Sequence, residues 1–462
     1  MNKIDSKNVE DILALTPMQY GMLIYYLRNP ESNVYFENLI VNLKGTIDPT
    51  VFRKTWEEII SNNEMLRTVF RWEGLENPVQ VILKSCEGII EIYKYSEEEG
   101  PLSLDEIDLT VDLLKTSFKV ILYQFETDRY KLILCSHHIL YDGWSTGILL
   151  NEFFDGYRSL MRNQKLIFPV KRRYKDYIKF LKTRDRAKEE QFWVHYLNHF
   201  DFRSIHYFGD NRFNAGCETE NYLIPLYKEC EEEINLFIKA NGITLAVFMY
   251  SVWSLLLYLY SHCSDVVFGT TVSGRKLDIG NLEHAVGLFI NTIPMRQKID
   301  AEQEVMQLFR DTMKTVKDRE EFEHSSLVEI KDYLKLSTSH MFDSIVVLEN
   351  YPLNVKKMND FEYFDVDSHV EFLKSEYEFV LNVAVMKRLE ITISFNKLHY
   401  SPAHISKIGS YFEKITKQII QNPNYTSMKV KHIDLVDDQD KEELYSILNK
   451  DALNLSADFE II

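Results

Sequence analysis

Strand-like and helix-like segments alternate along the whole chain, which predicts an α/β protein assembled from two halves of similar make-up. Three observations carry this. Apolar runs of strand length recur between stretches with helical spacing. A stretch rich in aromatic and charged residues over 174–197 reads as a helical crossover in the middle, and beyond Phe202 the same mixture begins again. With 462 residues, 45% of them hydrophobic, the chain has enough apolar matter for two or three cores.

In order, the periodicity predicts a helix over 17–26 and a strand over 35–43. A helix over 49–62 follows, then strands at 68–72, 78–83 and 130–135. Leu149, Leu150, Phe153, Phe154 and Tyr157 recur at helical spacing, so another helix comes next. In the second half the pattern gives a strand at 221–225, a helix at 231–241 and an apolar helix over 242–261. Strands at 265–272, 288–296, 342–348, 379–386 and 389–395 follow, and an amphipathic helix over 403–422. Residues 242–261 carry no charge and have the length of a membrane span, but Thr244, Ser251, Ser254, Trp253 and three tyrosines favour a buried core helix.

Composition excludes several classes. Fifty-three Lys and Arg against 70 Asp and Glu give a net charge of −17, which leaves no global field for nucleic acid. The cysteines (Cys86, Cys135, Cys217, Cys230 and Cys263) are odd in number and form no CxxC pair, as expected of reduced thiols in a cytoplasmic protein. The polar start of the chain shows no signal peptide.

The chemistry concentrates in Ser136-His137-His138-Ile139-Leu140-Tyr141-Asp142-Gly143-Trp144-Ser145, between an apolar strand and a helix. Adjacent strand residues point to opposite faces, so one of the two imidazoles is expected to reach a given cleft. Asp142 is spaced to orient an imidazole, to hold an arginine from elsewhere, or to cap the helix. Gly143 suits a turn or a close backbone approach to a ligand. A zinc site on His137, His138 and Asp142 lacks a second Cys/His cluster, so no metal is expected. Ser145 beside His138 and Asp142 has the residue types of a hydrolase triad but no G-x-S-x-G elbow.

The pattern His-His-x-x-x-Asp-Gly resembles the active-site motif of nonribosomal peptide synthetase condensation domains. Ordered companions extend the resemblance from about residue 12 to residue 350. Leu15-Thr16-Pro17-Met18-Gln19-Tyr20-Gly21 is similar to the opening motif, with Tyr20 where glutamate is common. Asn63-Glu64-Met65-Leu66-Arg67-Thr68 is similar to the second, with Asn63 in place of histidine. Tyr174-Lys175-Asp176-Tyr177, Phe192-Trp193, Val267 through Arg275, Val286 through Thr292, and Phe342 through Asn350 match the rest in order.

The resemblance implies two chloramphenicol-acetyltransferase-like lobes forming a V-shaped pseudo-dimer with a central tunnel. It divides the chain into a leader (1–11), an N-terminal lobe (12–180), a C-terminal lobe (181–435) and a linker toward an adenylation domain (436–462), with excision from a larger synthetase favoured. It implies amide formation, in which an aminoacyl amine on a downstream carrier protein attacks an acyl or peptidyl thioester on an upstream one. Both substrates ride on 4'-phosphopantetheine arms brought by the carriers, and no tightly bound cofactor, nucleic acid or membrane is involved.

In the implied site His138 is nearest the reacting amine, and Gly143 turns its N–H toward the donor thioester. His137 and Asp142 are structural, with Asp142 paired to Arg67. Trp144, Ser145, Ser273, Arg275 and Asn291 line the substrate channel, and Glu349 and Asn350 bond across the halves. The opening motif is most similar to domains taking an L-configured donor. Two alternatives stay open: an epimerisation domain, against which Trp144-Ser145-Thr146 after Asp-Gly speaks, and a non-catalytic recruiting domain, which typically loses the second histidine or the Asp-Gly pair.

Overall fold

The structure is a computed structural model that describes residues 4–30, 34–95, 103–202, 207–208, 218–276, 280–336, 340–349, 361–373, 377–385 and 388–436. Cys217, Asn350, Met386 and the charge run after Val436 lie outside these residues.

The first lobe contains β1 (Val9–Ala14), α1 (Pro17–Arg28), β2 (Phe36–Gly45), α2 (Pro49–Asn62), β3 (Thr68–Arg71), β4 (Val79–Leu83), β5 (Ile90–Tyr93), β6 (Phe118–Glu126), β7 (Arg129–His137) and α3 (Gly143–Met161). Local chemistry explains the helix starts. Thr16 and Gln19 form a reciprocal capping box with Pro17 in the first turn of α1, and Asp48 caps α2 ahead of Pro49. The predicted crossover is two helices, α4 (Tyr174–Thr183) and α5 (Arg186–Tyr196). They are broken where Asp185 accepts from Lys188 N–H and starts a new helix.

The second half of the sequence, which builds the second lobe apart from β12, supplies β8 (Thr219–Leu223), α6 (Cys230–Asn241), α7 (Leu245–Ser261), β9 (Asp265–Val272), β10 (Asn291–Lys298), α8 (Val305–Arg319), α9 (Leu327–Leu334), β11 (Ser344–Glu349), β12 (Phe364–Leu373), β13 (Phe379–Val385), β14 (Leu389–Asn396) and α10 (Pro402–Ile420). Its six-stranded sheet runs β10-β9-β11-β13-β14-β8. The uncharged helix α7 is buried along most of its length in this lobe's core, among Phe237, Phe309, Phe379 and Phe412. Among the described residues no single helix is long and apolar enough to cross a membrane; α6 and α7 meet the test only as a pair bent by 106°.

Two features depart from a division at residue 180. The five-stranded sheet of the first lobe runs β12-β2-β7-β6-β5, so its edge strand β12 comes from the second half of the sequence and pairs antiparallel with β2. Phe361 and Phe364 accordingly sit in the first lobe's core, as do Leu282, Leu288 and Phe289. The expected leader is also cut short: β1 begins at Val9 and pairs with β4 in a three-stranded sheet, β1-β4-β3.

Candidate active site at the end of β7

Strand β7 is the middle strand of its sheet and ends at His137, opposite Phe36 of β2. Because side chains alternate, the two histidines enter different surroundings. His137 is fully buried among the rings of Tyr26, Tyr35 and Phe36, with centroids 5.7, 6.1 and 5.1 Å away. Its Nδ1 accepts from the Ile139 N–H at 3.1 Å, so the proton of the neutral ring sits on Nε2. Burial, aided by the neighbouring His138, drives its pKa down to about 3. This imidazole is a neutral packing group that pins the turn.

His138 points the other way. Its backbone N–H donates to the Tyr35 carbonyl at 2.7 Å, and its ring lies nearly parallel to that of Tyr35 at 6.5 Å. Tyr35 holds a φ of 69°, uncommon for a bulky residue, at the entry to β2 where both contacts originate. The Glu37 carboxylate places Oε1 2.8 Å from His138 Nδ1, an ion-pair contact with both side chains mostly buried (12% and 17% exposed). Burial opposes the charged imidazole, but Glu37, Asp142 and the Tyr141 backbone together raise its pKa above the ordinary value. Gln19 braces the turn by donating from Nε2 to the Ile139 carbonyl at 3.0 Å.

Asp142 is the N-cap of α3, and Gly143 is the first residue of that helix. Its Oδ1 accepts from the Ser145 N–H at 3.0 Å and from Arg275 Nη2 at 2.7 Å, while Oδ2 accepts from the N–H groups of Phe289 (3.0 Å) and Ile290 (3.2 Å). Burial would raise this carboxyl, yet Arg275, these N–H donors and the Ser145 hydroxyl hold it below the usual carboxylate range. Gly274 makes the joint possible: it takes a φ of +60°, and a Cβ there would collide with the Phe289 carbonyl oxygen.

The partner of Asp142 is therefore Arg275, in the second half of the sequence, and not Arg67. Arg67 lies at the entry to β3, where its Nε donates to the Ile60 carbonyl (3.1 Å) and its Nη1 reaches Glu10 Oε2 (2.9 Å) and the Leu83 carbonyl. Its bonds run to β1, β4 and the end of α2, where Nη2 also donates to the Ser61 carbonyl at 3.3 Å, and none of them goes to the turn. Four residues expected in the substrate channel are likewise committed to structure. Arg275 also donates to the carbonyls of Leu282 (3.0 Å) and Ala285 (2.7 Å) and lies over the Phe289 ring. Ser145 Oγ, fully buried, is within 2.9 Å of Asp142 Oδ1 and accepts from the Gly287 N–H (3.1 Å), which leaves no free nucleophile. The Trp144 indole donates to the Glu283 carbonyl at 3.1 Å, and Asn291 donates to the Glu323 and Ser325 carbonyls at 2.8 and 2.7 Å. Ser273, half-buried, follows β9 directly ahead of Gly274. Among the described residues no group of three or more His, Cys, Asp or Glu is placed to hold a metal ion.

Sequence reasoning missed Glu37, although a signal was present: it is the one acidic residue in the run Phe36-Glu37-Asn38-Leu39-Ile40-Val41-Asn42. Diagonal neighbours across an antiparallel pair lie within side-chain reach. Glu37 faces Ser136, and so stands diagonal to His138.

Comparison with known proteins agrees with this geometry. The family described as Condensation domain matches residues 9–445. Surfactin synthase subunit 3 of Bacillus subtilis (strain 168) is 29% identical over 470 residues, a match covering 98% of this chain and 36% of that protein. Tyrocidine synthase 3 of Brevibacillus parabrevis is 26% identical over 475 residues, covering 99% and 7%. The chain thus spans about a third or less of the length of these relatives. Among solved structures, the starter condensation domain of the rhizomide synthetase superimposes with a TM-score of 0.75 at 16% identity, covering 93% of this chain and all of that one. The first condensation domain of the calcium-dependent antibiotic synthetase, in complex with a substrate analogue, does so with a TM-score of 0.75 at 14% identity, covering 93% and 100%. A family match over almost the whole length, a shared two-lobed fold and an intact His-His-x-x-x-Asp-Gly turn lead to one conclusion: the chain belongs to the condensation-domain family of nonribosomal peptide synthetases.

Proposed function

We propose that this domain joins two carrier-bound substrates through an amide bond. The amine of an aminoacyl thioester on a downstream carrier attacks the carbonyl of an acyl or L-configured peptidyl thioester on an upstream one. The C–N bond forms and the C–S bond breaks. The upstream phosphopantetheine arm leaves as a thiol, and the amine's proton passes to the medium or to that thiolate. No covalent enzyme intermediate is required, because the thioester is already activated. The protein supplies proximity, orientation and a group for the developing charge.

One observation supports this reading above the others: of the two imidazoles, only that of His138 is held by a carboxylate and left outside the aromatic cage that encloses His137. His138 is the group assigned to the amine, as proton acceptor or as its hydrogen-bonding anchor. Gly143, at the first turn of α3, is assigned to the donor side, where a helix N-terminus turns N–H groups toward an incoming carbonyl. An adenylation domain adjacent to the downstream carrier would supply the acceptor aminoacyl group.

The test mixes the protein with two separately loaded carrier proteins and weighs the arms by mass spectrometry. A condensed product on the downstream arm supports the reading. A change of stereochemistry without a change of mass would point to epimerisation, and an unchanged pair of arms to a recruiting role. His138→Ala should lower transfer by about 10²–10⁴-fold, the usual worth of a positioned acid–base group. A variant as fast as the parent removes His138 from the mechanism.

A further inference from the structure

We infer that Glu37 is the positioning residue of the active-site imidazole: from the neighbouring strand it fixes the Nδ1 edge of His138, so that Nε2 is the edge offered to the substrate. This rests on the assignment of His138 to the reacting amine.

The argument starts from register. β2 and β7 pair over nine residues without a bulge, from Phe36 opposite His137 to Lys44 opposite Arg129. That ladder sets Glu37 on the same face as Ser136 and diagonal to His138, so the contact is fixed by the sheet and needs no loop to close it. The 2.8 Å separation and the burial of both side chains mean that the pair is shielded from salt and water. The contact is an ion pair without hydrogen-bond alignment, so it acts by charge: the carboxylate favours the proton on the nitrogen facing it, and the lone pair of the neutral ring is then on Nε2.

Among the described residues the other charges that act on His138 are few. Asp142, in the same turn, is already taken up by Arg275 and the N–H groups of Phe289 and Ile290. His137 is neutral inside its cage, and the Tyr35 ring contributes a face without charge. The Tyr141 backbone adds to the preference for the protonated ring, alongside Glu37. Glu37 is the carboxylate in ion-pair contact with His138.

The pair also gives a way to tell the two chemical roles of His138 apart. As a neutral base, His138 supports transfer only above its pKa, and the rate rises with pH. As an imidazolium that stabilises charge, it supports transfer only below its pKa, and the rate falls with pH. In either case loss of the Glu37 charge moves the limb toward lower pH, because an anion in contact favours the protonated ring.

The experiment titrates the imidazole signals of the intact chain by ¹H–¹⁵N NMR, with the His138 signal identified by its absence in His138→Ala. The same pH range is then used to measure transfer between two loaded carriers. Glu37→Gln keeps the shape of the side chain and removes its charge. It should lower the His138 midpoint by about one pH unit or more, move the rate limb by the same amount, and leave the melting temperature near that of the parent. A His138 midpoint and a rate limb both unmoved in Glu37→Gln would overturn the inference. If His138→Ala instead transfers normally while Glu37→Gln still shifts the NMR midpoint, the contact stands and the catalytic assignment of His138 is what fails.

Discussion

Two buried arginines make opposite kinds of joint in this molecule. Arg67 ties elements of the first lobe to one another: the end of α2, strand β4 and Glu10 of β1. Arg275 ties the second half of the sequence to the first, clasping Asp142 at the foot of the active-site turn while Phe289 and Ile290 hold that carboxylate from the same side. The two differ in surroundings as well. Glu10 is 31% exposed and stays in touch with water, whereas Asp142 and Arg275 are 3% and 4% exposed. A buried charge stripped of its partner costs far more than one that water can reach. The motif's aspartate is thus a fastening between halves as much as a part of the turn.

The largest expected effect follows from that asymmetry. Asp142→Ala leaves the Arg275 guanidinium buried without its carboxylate and should destabilise the protein by about 3–5 kcal/mol, read by chemical denaturation. Loss of less than about 1 kcal/mol would show that water reaches Arg275 and that the joint is open. Arg67→Ala should cost less, about 1–3 kcal/mol, because Glu10 is resolvated while the Leu83 and Ile60 carbonyls lose a donor. The smallest effect is the most discriminating. In a double-mutant cycle Arg67→Ala and Asp142→Ala should add to within about 0.5 kcal/mol, since the two residues share no partner. A coupling above about 1 kcal/mol would restore the direct pairing expected from the sequence.

How far the sequence could be read depended on the range of the interaction. Helix α2 and strand β9 lie where local signals put them: Asp48 and Pro49 mark the start of the helix, and Val266, Val267, Phe268, Thr270, Thr271 and Val272 are β-branched or aromatic, the residue types that favour a strand. The His-His turn was legible for the same reason, because the end of a strand, a cap and a helix start fit within ten residues. The partner of Asp142 was not, since Arg275 is 133 residues away and nothing in a single chain distinguishes it from Arg67 as a cation. Strand β1 was passed over because Val9–Ala14 alternates half-buried with exposed residues and carries two carboxylates. Strand β12 holds Asp365, Asp367 and Glu371, which mask its strand character, and its lobe is set by pairing with β2 across more than 300 residues. Glu37 lay in a strand correctly anticipated, but its use required the register with β7.

The edge strand β12 has a consequence for anyone who would trade parts between relatives. A hybrid joined in α4 would bring the first lobe from one parent and its outermost strand from the other, so nine backbone partnerships between Phe364–Leu373 and β2 would be asked to form across mismatched sequences. Without that strand, β2 presents a bare row of N–H and C=O groups, the kind of surface on which chains stick to one another. Residues 361–373 therefore travel with the first lobe as cargo, and a viable seam has to be cut twice.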